Sequence, residues 1–82
     1  SKHSEWHFDE DALHAHFMFD NFKEAFAFMT KVAFEAEVAG HHPEWSNVYN
    51  KLHISLSTHD AGDKVTEKDT NLAKTISALY KS

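Results

Sequence analysis

The chain predicts an α+β fold, with a four-stranded antiparallel sheet and helices packed on one face in the order β-β-α-β-β-α. Two observations predict the strands: apolar residues alternate with polar ones before residue 20 and again between residues 45 and 58. A third predicts the helices: apolar residues recur at three and four residues over Phe22–Val38 and again from Leu72 to Tyr80. We expect one domain over residues 1–82.

The first two strands surround an acidic turn. A short β-like piece runs from Trp6 to Phe8, and the turn follows at residues 9–11. Leu13, Ala15, Phe17 and Phe19 then form the expected inward face of a longer strand. The intervening His14 and His16 should therefore lie on the solvent face.

The first helix should bury one stripe, and Phe28 falls outside it. The stripe consists of Phe22, Ala25, Phe26, Met29, Val32, Ala33 and Ala36. Asp20 is the expected N-cap. Gly40 suits the left-handed conformation that ends many helices, and a proline follows three residues later.

The second half of the sequence predicts two further strands and a second helix. We expect two strands between Trp45 and Thr58, joined by a turn at residues 50–51, with His53 on the solvent face. A polar loop covers residues 60–63. Thr66, with Asp69 three residues later, resembles a capping box at the start of the second helix.

Composition excludes several classes of protein. The 82 residues contain no Cys, which excludes disulfide scaffolds, thiolate zinc sites and thiol nucleophiles. The net charge is −5 without a basic stripe, so we expect no nucleic-acid partner. No apolar run is long enough for a membrane span, and we expect a cytoplasmic protein. So small a core without disulfides favours self-association.

Eight His residues are the unusual feature of this composition. His41 and His42 follow the predicted helix end, and Pro43 favours extended backbone at His42. His59 stands at a predicted strand end, where scaffolds often present functional groups. Imidazole is the side chain best suited to proton transfer at neutral pH, so these three are candidate acid/base residues.

Two other readings remain open on spacing alone. The His-His-Pro run could be an ordinary polar turn. The three imidazoles could instead ligate zinc, as three histidines do in some catalytic sites. Adjacent rings directed apart do not easily share an ion, and no i,i+4 histidine pair of the HExxH type lies on a predicted helix, so we expect no metal. Trp45 suits either the core or a ring platform beside the imidazoles.

The sequence resembles the pterin-4a-carbinolamine dehydratase family over nearly its whole length from Trp6. The matching motifs are Phe26-x-Phe28-Met29-Thr30-x-Val32-Ala33, Glu37-x-x-x-His41-His42-Pro43-Glu44-Trp45, Asn47-Val48-Tyr49-Asn50-Lys51, Ser57-Thr58-His59, Thr66-x-x-Asp69 and Asn71-Leu72-Ala73.

The resemblance implies dehydration of 4a-hydroxytetrahydropterin to quinonoid dihydropterin, in tetrahydrobiopterin recycling, without metal or organic cofactor. It implies acid/base roles for His41 and His59, and it implies that His42 mainly holds the pterin. The other substrate-site residues that it implies are Pro43, Trp45, Glu37, Thr58 and Asp69, with Asp69 near His59.

The small core and the unpaired edge of a four-stranded sheet favour a homodimer or homotetramer. The resemblance implies a further partner, because animal members also serve as dimerisation cofactors of a homeodomain transcription factor. It therefore implies an alternative, non-enzymatic binding role and a nuclear location. Relatives usually carry an additional N-terminal helix that this sequence lacks. Gly40 replaces an acidic residue of animal members, and the loop from His59 to Asp69 is one residue longer than theirs.

Overall fold

The computed structural model describes residues 6–58, 62 and 64–81. The elements, in order, are β1 (His7–Asp9), β2 (Ala12–Met18), α1 (Phe22–Ala39), β3 (Glu44–Val48), β4 (Lys51–Leu56) and α2 (Glu67–Lys81). The strands form one antiparallel sheet in the spatial order β1-β2-β4-β3. This arrangement confirms the predicted fold class and element order.

The core lies between the inner face of the sheet and the two helices. The central strands β2 and β4 contribute alternate residues to it, as the period of two predicts. The largest fully buried side chains are Phe17, Leu52, Ile54, Leu56, Ile76, Val32 and Asp69. Six are apolar and one is a carboxylate, so Asp69 needs a separate explanation.

The predicted buried face of α1 was confirmed at Ala25, Val32 and Ala36 but was wrong at its phenylalanines. Phe28 is only 6% exposed, whereas Phe22 and Phe26 are 48% and 55% exposed. Phe28 packs against the rings of Phe17 and Tyr80, with centroids 5.4 and 5.7 Å away. The buried face also includes Ala25 and Ala36, whose small side chains let α1 approach the sheet closely. The spacing of three and four residues therefore placed Phe22 and Phe26 on the buried face, where the structure has Phe28 instead.

The predicted N-cap of α1 and the predicted β3–β4 turn were each displaced by one residue. Asn21, not Asp20, caps α1, since its Oδ1 accepts a hydrogen bond from the Glu24 amide at 2.9 Å. The β3–β4 turn occupies residues 49–50 rather than 50–51, and Tyr49 adopts a φ of 54°. Asn50 is held there because its Nδ2 donates to the Phe19 carbonyl at 3.0 Å.

Neither helix of the described chain has the length and apolar character that crossing a membrane requires. The solvent face of the sheet carries His14, His16 and His53, with His16 exposed and the other two half-buried. This placement confirms the strand-face predictions for these three histidines.

Candidate active site

The C-terminal end of α1 fixes the backbone of His41. Gly40 adopts φ 65° and ψ 28°, the left-handed conformation expected for it. The Gly40 amide donates to the Glu37 carbonyl and the His41 amide donates to the Ala36 carbonyl, each at 3.1 Å. This pair of bonds is the Schellman motif, in which glycine avoids the strain that a Cβ would cause. The His41 backbone is therefore held by the helix end.

The side chain of His41 points to a buried carboxylate. Its Nε2 lies 2.5 Å from Oδ1 of Asp69, which is completely inaccessible to solvent. The second carboxylate oxygen accepts from the Thr58 hydroxyl at 2.7 Å and from the Thr66 amide at 2.8 Å. Three donors thus satisfy Asp69, which explains how a carboxylate can be buried in the core.

These contacts determine the ionisation of Asp69. Burial raises the pKa of Asp69, but hydrogen bonds from His41, Thr58 and the Thr66 amide outweigh burial and hold the pKa below its ordinary value. The carboxylate is therefore ionised at neutral pH and can only accept. His41 must consequently carry its proton on Nε2, which leaves Nδ1 as the second nitrogen of the ring.

A pair of hydroxyl groups completes the surroundings of Asp69. The hydroxyls of Thr58 and Thr66 lie 2.6 Å apart. Because the Thr58 hydrogen is donated to Asp69, the Thr66 hydroxyl is the donor to Thr58. Asp69 also accepts from the Thr66 amide, as a capping box requires, but the Thr66 hydroxyl is directed to Thr58 rather than to the first turn of α2.

His42 forms a separate pair with Glu37. Their Nε2 and Oε1 atoms are 2.5 Å apart, and their side chains are 66% and 75% exposed. The pair spans the helix end, since Glu37 belongs to the last turn of α1. An exposed pair of this kind contributes little to stability. Either side chain can therefore break this contact and bind a ligand instead, at little cost in stability.

The described residues next to the histidines differ in accessibility. Trp45 is half-buried and packs against the core, which favours the core reading of this residue. Pro43 is half-buried between His42 and the start of β3. Thr58 is 7% exposed and contacts Asp69, so it supports the carboxylate from within the fold.

His41 also lines a cleft of about 260 Å³ between the end of α1 and α2. The other residues that line it are Glu35, Val38, Ala39, Lys68, Asn71, Leu72 and Thr75. His59, the third candidate acid/base residue, lies outside the described residues. Within the described ranges, no three His, Asp or Glu side chains are grouped so that they could hold a metal ion.

The structure pairs Asp69 with His41 across 28 residues, a contact that the sequence did not predict. The expected proximity of Asp69 to His59 stays a prediction, because His59 lies outside the described residues. Thr66 was predicted as the capping-box partner of Asp69, and the bond from its amide confirms that half of the motif, whereas its hydroxyl contact with Thr58 was not predicted.

Thr58 was named as a site residue through the resemblance, and the sequence also gives a signal of its own, because this polar residue continues the inward positions of Leu52, Ile54 and Leu56. A polar side chain at an inward position needs a buried partner.

Comparisons of this sequence with a family profile and with individual relatives point to the same family. Residues 1–79 match the sequence profile of a family described as pterin 4 alpha carbinolamine dehydratase. A protein of Christiangramia forsetii is 56% identical over 77 residues, which are 94% of this chain and 78% of that protein. One of Opitutus terrae is 52% identical, over 84% of this chain and 71% of the relative. Both are named, provisionally, pterin-4-alpha-carbinolamine dehydratase.

Two solved structures share the fold. A transcriptional coactivator/pterin dehydratase from Brucella melitensis superposes with a TM-score of 0.85 and 38% identity, covering 90% of this chain and 80% of that one. A pterin dehydratase-like RuBisCO assembly factor of the alpha-carboxysome has a TM-score of 0.79 at 22% identity, covering 96% and 93% of the two chains, and shows the fold alone. From the family profile and these relatives, the chain belongs to the pterin-4a-carbinolamine dehydratase family.

Proposed function

We propose that this chain dehydrates a 4a-hydroxytetrahydropterin to the quinonoid dihydropterin and water, as part of tetrahydrobiopterin recycling. In this reaction the C4a–O bond breaks with its electron pair leaving on oxygen. An acid protonates that oxygen, and a base removes the proton of N5. The observation that carries the proposal is the imidazole of His41 held by the buried, ionised Asp69 at the edge of a cleft.

We assign the role of base to His41. With its Nε2 proton donated to Asp69, the neutral ring has an unprotonated Nδ1 that can accept the N5 proton. After transfer, the imidazolium stays hydrogen-bonded to an anion, which stabilises the charge formed in the reaction. A carboxylate that holds a catalytic imidazole in one tautomer acts in the same way in hydrolytic triads.

The other roles follow from the chemistry and the family resemblance. His59 supplies the proton to the leaving oxygen. His42 and Glu37 hold the pterin, since the pterin's N3–H and 2-amino groups are donors that suit a carboxylate. Pro43 and Trp45 shape the adjoining wall, while Thr58 and Asp69 orient His41. Proton transfer supplies the chemistry, so we propose that the reaction needs no metal or organic cofactor.

A stopped-flow assay with chemically generated 4a-hydroxytetrahydropterin tests the activity directly. The chain should accelerate the loss of this compound beyond its spontaneous rate. Treatment with a chelator should leave the acceleration unchanged. A chain that gives only the spontaneous rate would contradict the proposed activity, and a loss restored by zinc would contradict metal-free catalysis.

The variant His42→Ala tests substrate holding. His42 is exposed and its only described partner is Glu37, so we expect an unfolding free energy within about 0.5 kcal/mol of the parent. Dihydropterin binding, measured by fluorescence titration, should weaken. Lys31→Ala is a matched control on the exposed surface of α1 and should bind normally. Equal affinity of His42→Ala and the parent would remove His42 from the substrate site.

A second candidate function is a binding module, and one observation favours a protein-binding surface. Phe22 and Phe26 stack at 5.8 Å on the exposed side of α1, where Phe34 and Val38 are 69% and 84% exposed. So much exposed apolar surface on one helix is typical of an interface. We propose that a second copy of the chain covers it, which gives the expected homodimer or homotetramer.

Light scattering with size-exclusion chromatography separates these possibilities. The parent should be a dimer or tetramer, and Phe26→Lys should dissociate it. Phe8→Lys, at an exposed phenylalanine of β1, should not. A parent that is monomeric at high micromolar concentration would contradict self-association and favour a different protein partner, such as a transcription factor.

A further inference from the structure

The cleft beside His41 has a polar rim that the proposed proton transfer does not use. α1 contributes Glu35 to this rim, and α2 contributes Lys68, Asn71 and Thr75. The three residues of α2 are spaced by three and four positions, so they lie on one face of the helix. Two helices thus present hydrogen-bonding side chains to the cleft that His41 lines.

Most of these polar side chains have no structural partner in the described part of the chain. No hydrogen bond or ion pair between described residues involves the side chains of Glu35, Lys68 and Asn71. Thr75 differs, because its hydroxyl donates to the Asn71 backbone carbonyl at 3.2 Å and can otherwise only accept. A few polar groups that converge on a cleft without an internal partner are typical of a ligand-binding site.

The chemistry of the substrate determines which part of it would lie in this cleft. In a tetrahydropterin, N5 is bonded to C4a on one side and to C6 on the other. The proposed base His41 removes the proton of N5, so the substituent on C6 lies beside the His41 ring. The N3–H and 2-amino groups are at the opposite end of the bicyclic ring, where the proposed partners are His42 and Glu37. This orientation rests on the proposed function, because it takes the position of N5 from the role of His41.

The charges of the cleft indicate the kind of substituent that it suits. Glu35 and Lys68 carry opposite charges and line the same cleft. A carboxylate or phosphate on the substituent would be attracted by Lys68 but repelled by Glu35, so an anionic substituent gains little. Hydroxyl groups can donate to Glu35 and accept from Lys68, and the Asn71 amide suits them in both directions. The lining therefore favours an uncharged, hydroxylated substituent.

The size of the cleft restricts what it can hold. Its volume of about 260 Å³ is below the range of about 300–1,000 Å³ for pockets that enclose a whole drug-sized ligand, so it suits one part of a substrate. Val38, which also lines the cleft, is 84% exposed and belongs to the face of α1 that we propose a second copy covers. Lys68 and Asn71 belong to α2, so variants of these two residues leave that face unchanged.

We propose that Glu35, Lys68 and Asn71 bind the substituent on C6 of the pterin and select a short hydroxylated chain. Asn71 determines most of this specificity, because its amide both donates to and accepts from hydroxyl groups. Its side chain is exposed and has no partner among the described residues, so its removal changes recognition without disturbing the fold. Glu35 excludes anionic substituents, since its carboxylate would face theirs.

Two substrates and one variant test the role of Asn71. Chemically generated 4a-hydroxytetrahydropterins with either a dihydroxypropyl or a methyl group on C6 are compared by stopped-flow kinetics on the full chain. Asn71→Ala should lower kcat/KM for the dihydroxypropyl substrate by about two- to tenfold, the factor that one hydrogen bond contributes. It should leave kcat/KM for the methyl substrate unchanged. The control Lys74→Ala, at an exposed residue of α2 outside this cleft, should change neither value.

Binding experiments separate a failure of this subsite from a failure of the proposed activity. Fluorescence titration gives the dissociation constants of biopterin, 6-methylpterin and pterin-6-carboxylate without turnover. A selective loss of biopterin affinity in Asn71→Ala supports the subsite even in a chain that gives only the spontaneous dehydration rate. Glu35→Gln should bind pterin-6-carboxylate more tightly than the parent, by up to about fivefold, as expected when one exposed like charge is removed. Equal losses for biopterin and 6-methylpterin in Asn71→Ala, or an unchanged affinity of Glu35→Gln for pterin-6-carboxylate, would overturn the proposal.

Discussion

Oδ1 of Asp69 lies 2.5 Å from Nε2 of His41, so the first turn of α2 is bonded to the second residue after the end of α1. Asp69 is inaccessible to solvent, whereas His41 retains an 11% exposed side chain. One partner is thus fixed in the core and the other reaches the surface. This arrangement suits a carboxylate that positions an imidazole for proton transfer.

Asp69→Asn should slow the dehydration strongly. The amide no longer carries the charge that stabilises an imidazolium, and its NH₂ group, which can only donate, faces either the His41 ring N–H or the two donors of Thr58 and Thr66. We expect kcat to fall by about 10²–10⁴-fold, the range associated with loss of acid/base catalysis. Stopped-flow kinetics measure this, and Glu67→Gln in the same helical turn is a control that should retain the parent rate. An unchanged kcat in Asp69→Asn would exclude the positioning role.

The Asp69 carboxylate should also contribute to how the free energy of unfolding changes at acid pH. The pKa of Asp69 in the folded chain lies below its ordinary 3.8, so the unfolded chain binds more protons between these two pKa values. The stabilisation is present above about pH 4 and is lost as the pH falls through the lower pKa. Denaturant titrations should therefore show the parent and Asp69→Asn converging in unfolding free energy below pH 4. Parallel curves would show that Asp69 is not stabilised as an anion.

Thr58→Val should affect both stability and rate, because the hydroxyl is the donor to Asp69 Oδ2 and the acceptor from Thr66. Leaving these buried groups unpaired should cost about 1–3 kcal/mol in unfolding free energy. Thr58→Ser keeps the hydroxyl and should restore the rate and the pH–rate profile while remaining slightly less stable. If the serine and valine variants have the same pH–rate profile, Thr58 has only a packing role.

The sequence predicts those features that depend on local pattern. Strand alternation places His14 and His16 correctly, and Gly40 is correctly predicted to end α1. The rotation of α1 was predicted only in part, since Ala25 and Ala36 are buried as expected. The burial of Phe28 was missed because it depends on non-local packing against Phe17 and Tyr80. The pairing of Asp69 with His41 is also non-local, since it requires the packed arrangement of two helices that a linear motif does not contain.

Replacing two phenylalanines of α1 tests the orientation of this helix. Phe28→Ala removes a ring packed against Phe17 and Tyr80, so we expect a loss of about 3–5 kcal/mol in unfolding free energy. Phe26 is 55% exposed in the single chain, so Phe26→Ala should cost far less. Chemical denaturation at several protein concentrations separates this effect from any change in self-association. Similar losses for both variants at low concentration would contradict the orientation of α1.

Gly40 provides a test of how the helix end positions His41. A Cβ at this residue would meet no atom within 4 Å, so only the backbone conformation, with φ of 65°, opposes substitution. Gly40→Ala should therefore cost about 1 kcal/mol, and Gly40→Asn less, because asparagine tolerates the left-handed region better. If the Schellman bonds hold His41, the dehydration rate should follow the same order: parent, then Asn, then Ala. Thermal unfolding and stopped-flow kinetics on the three proteins measure both quantities. Equal rates despite the loss of stability would mean that the Asp69 contact alone positions His41.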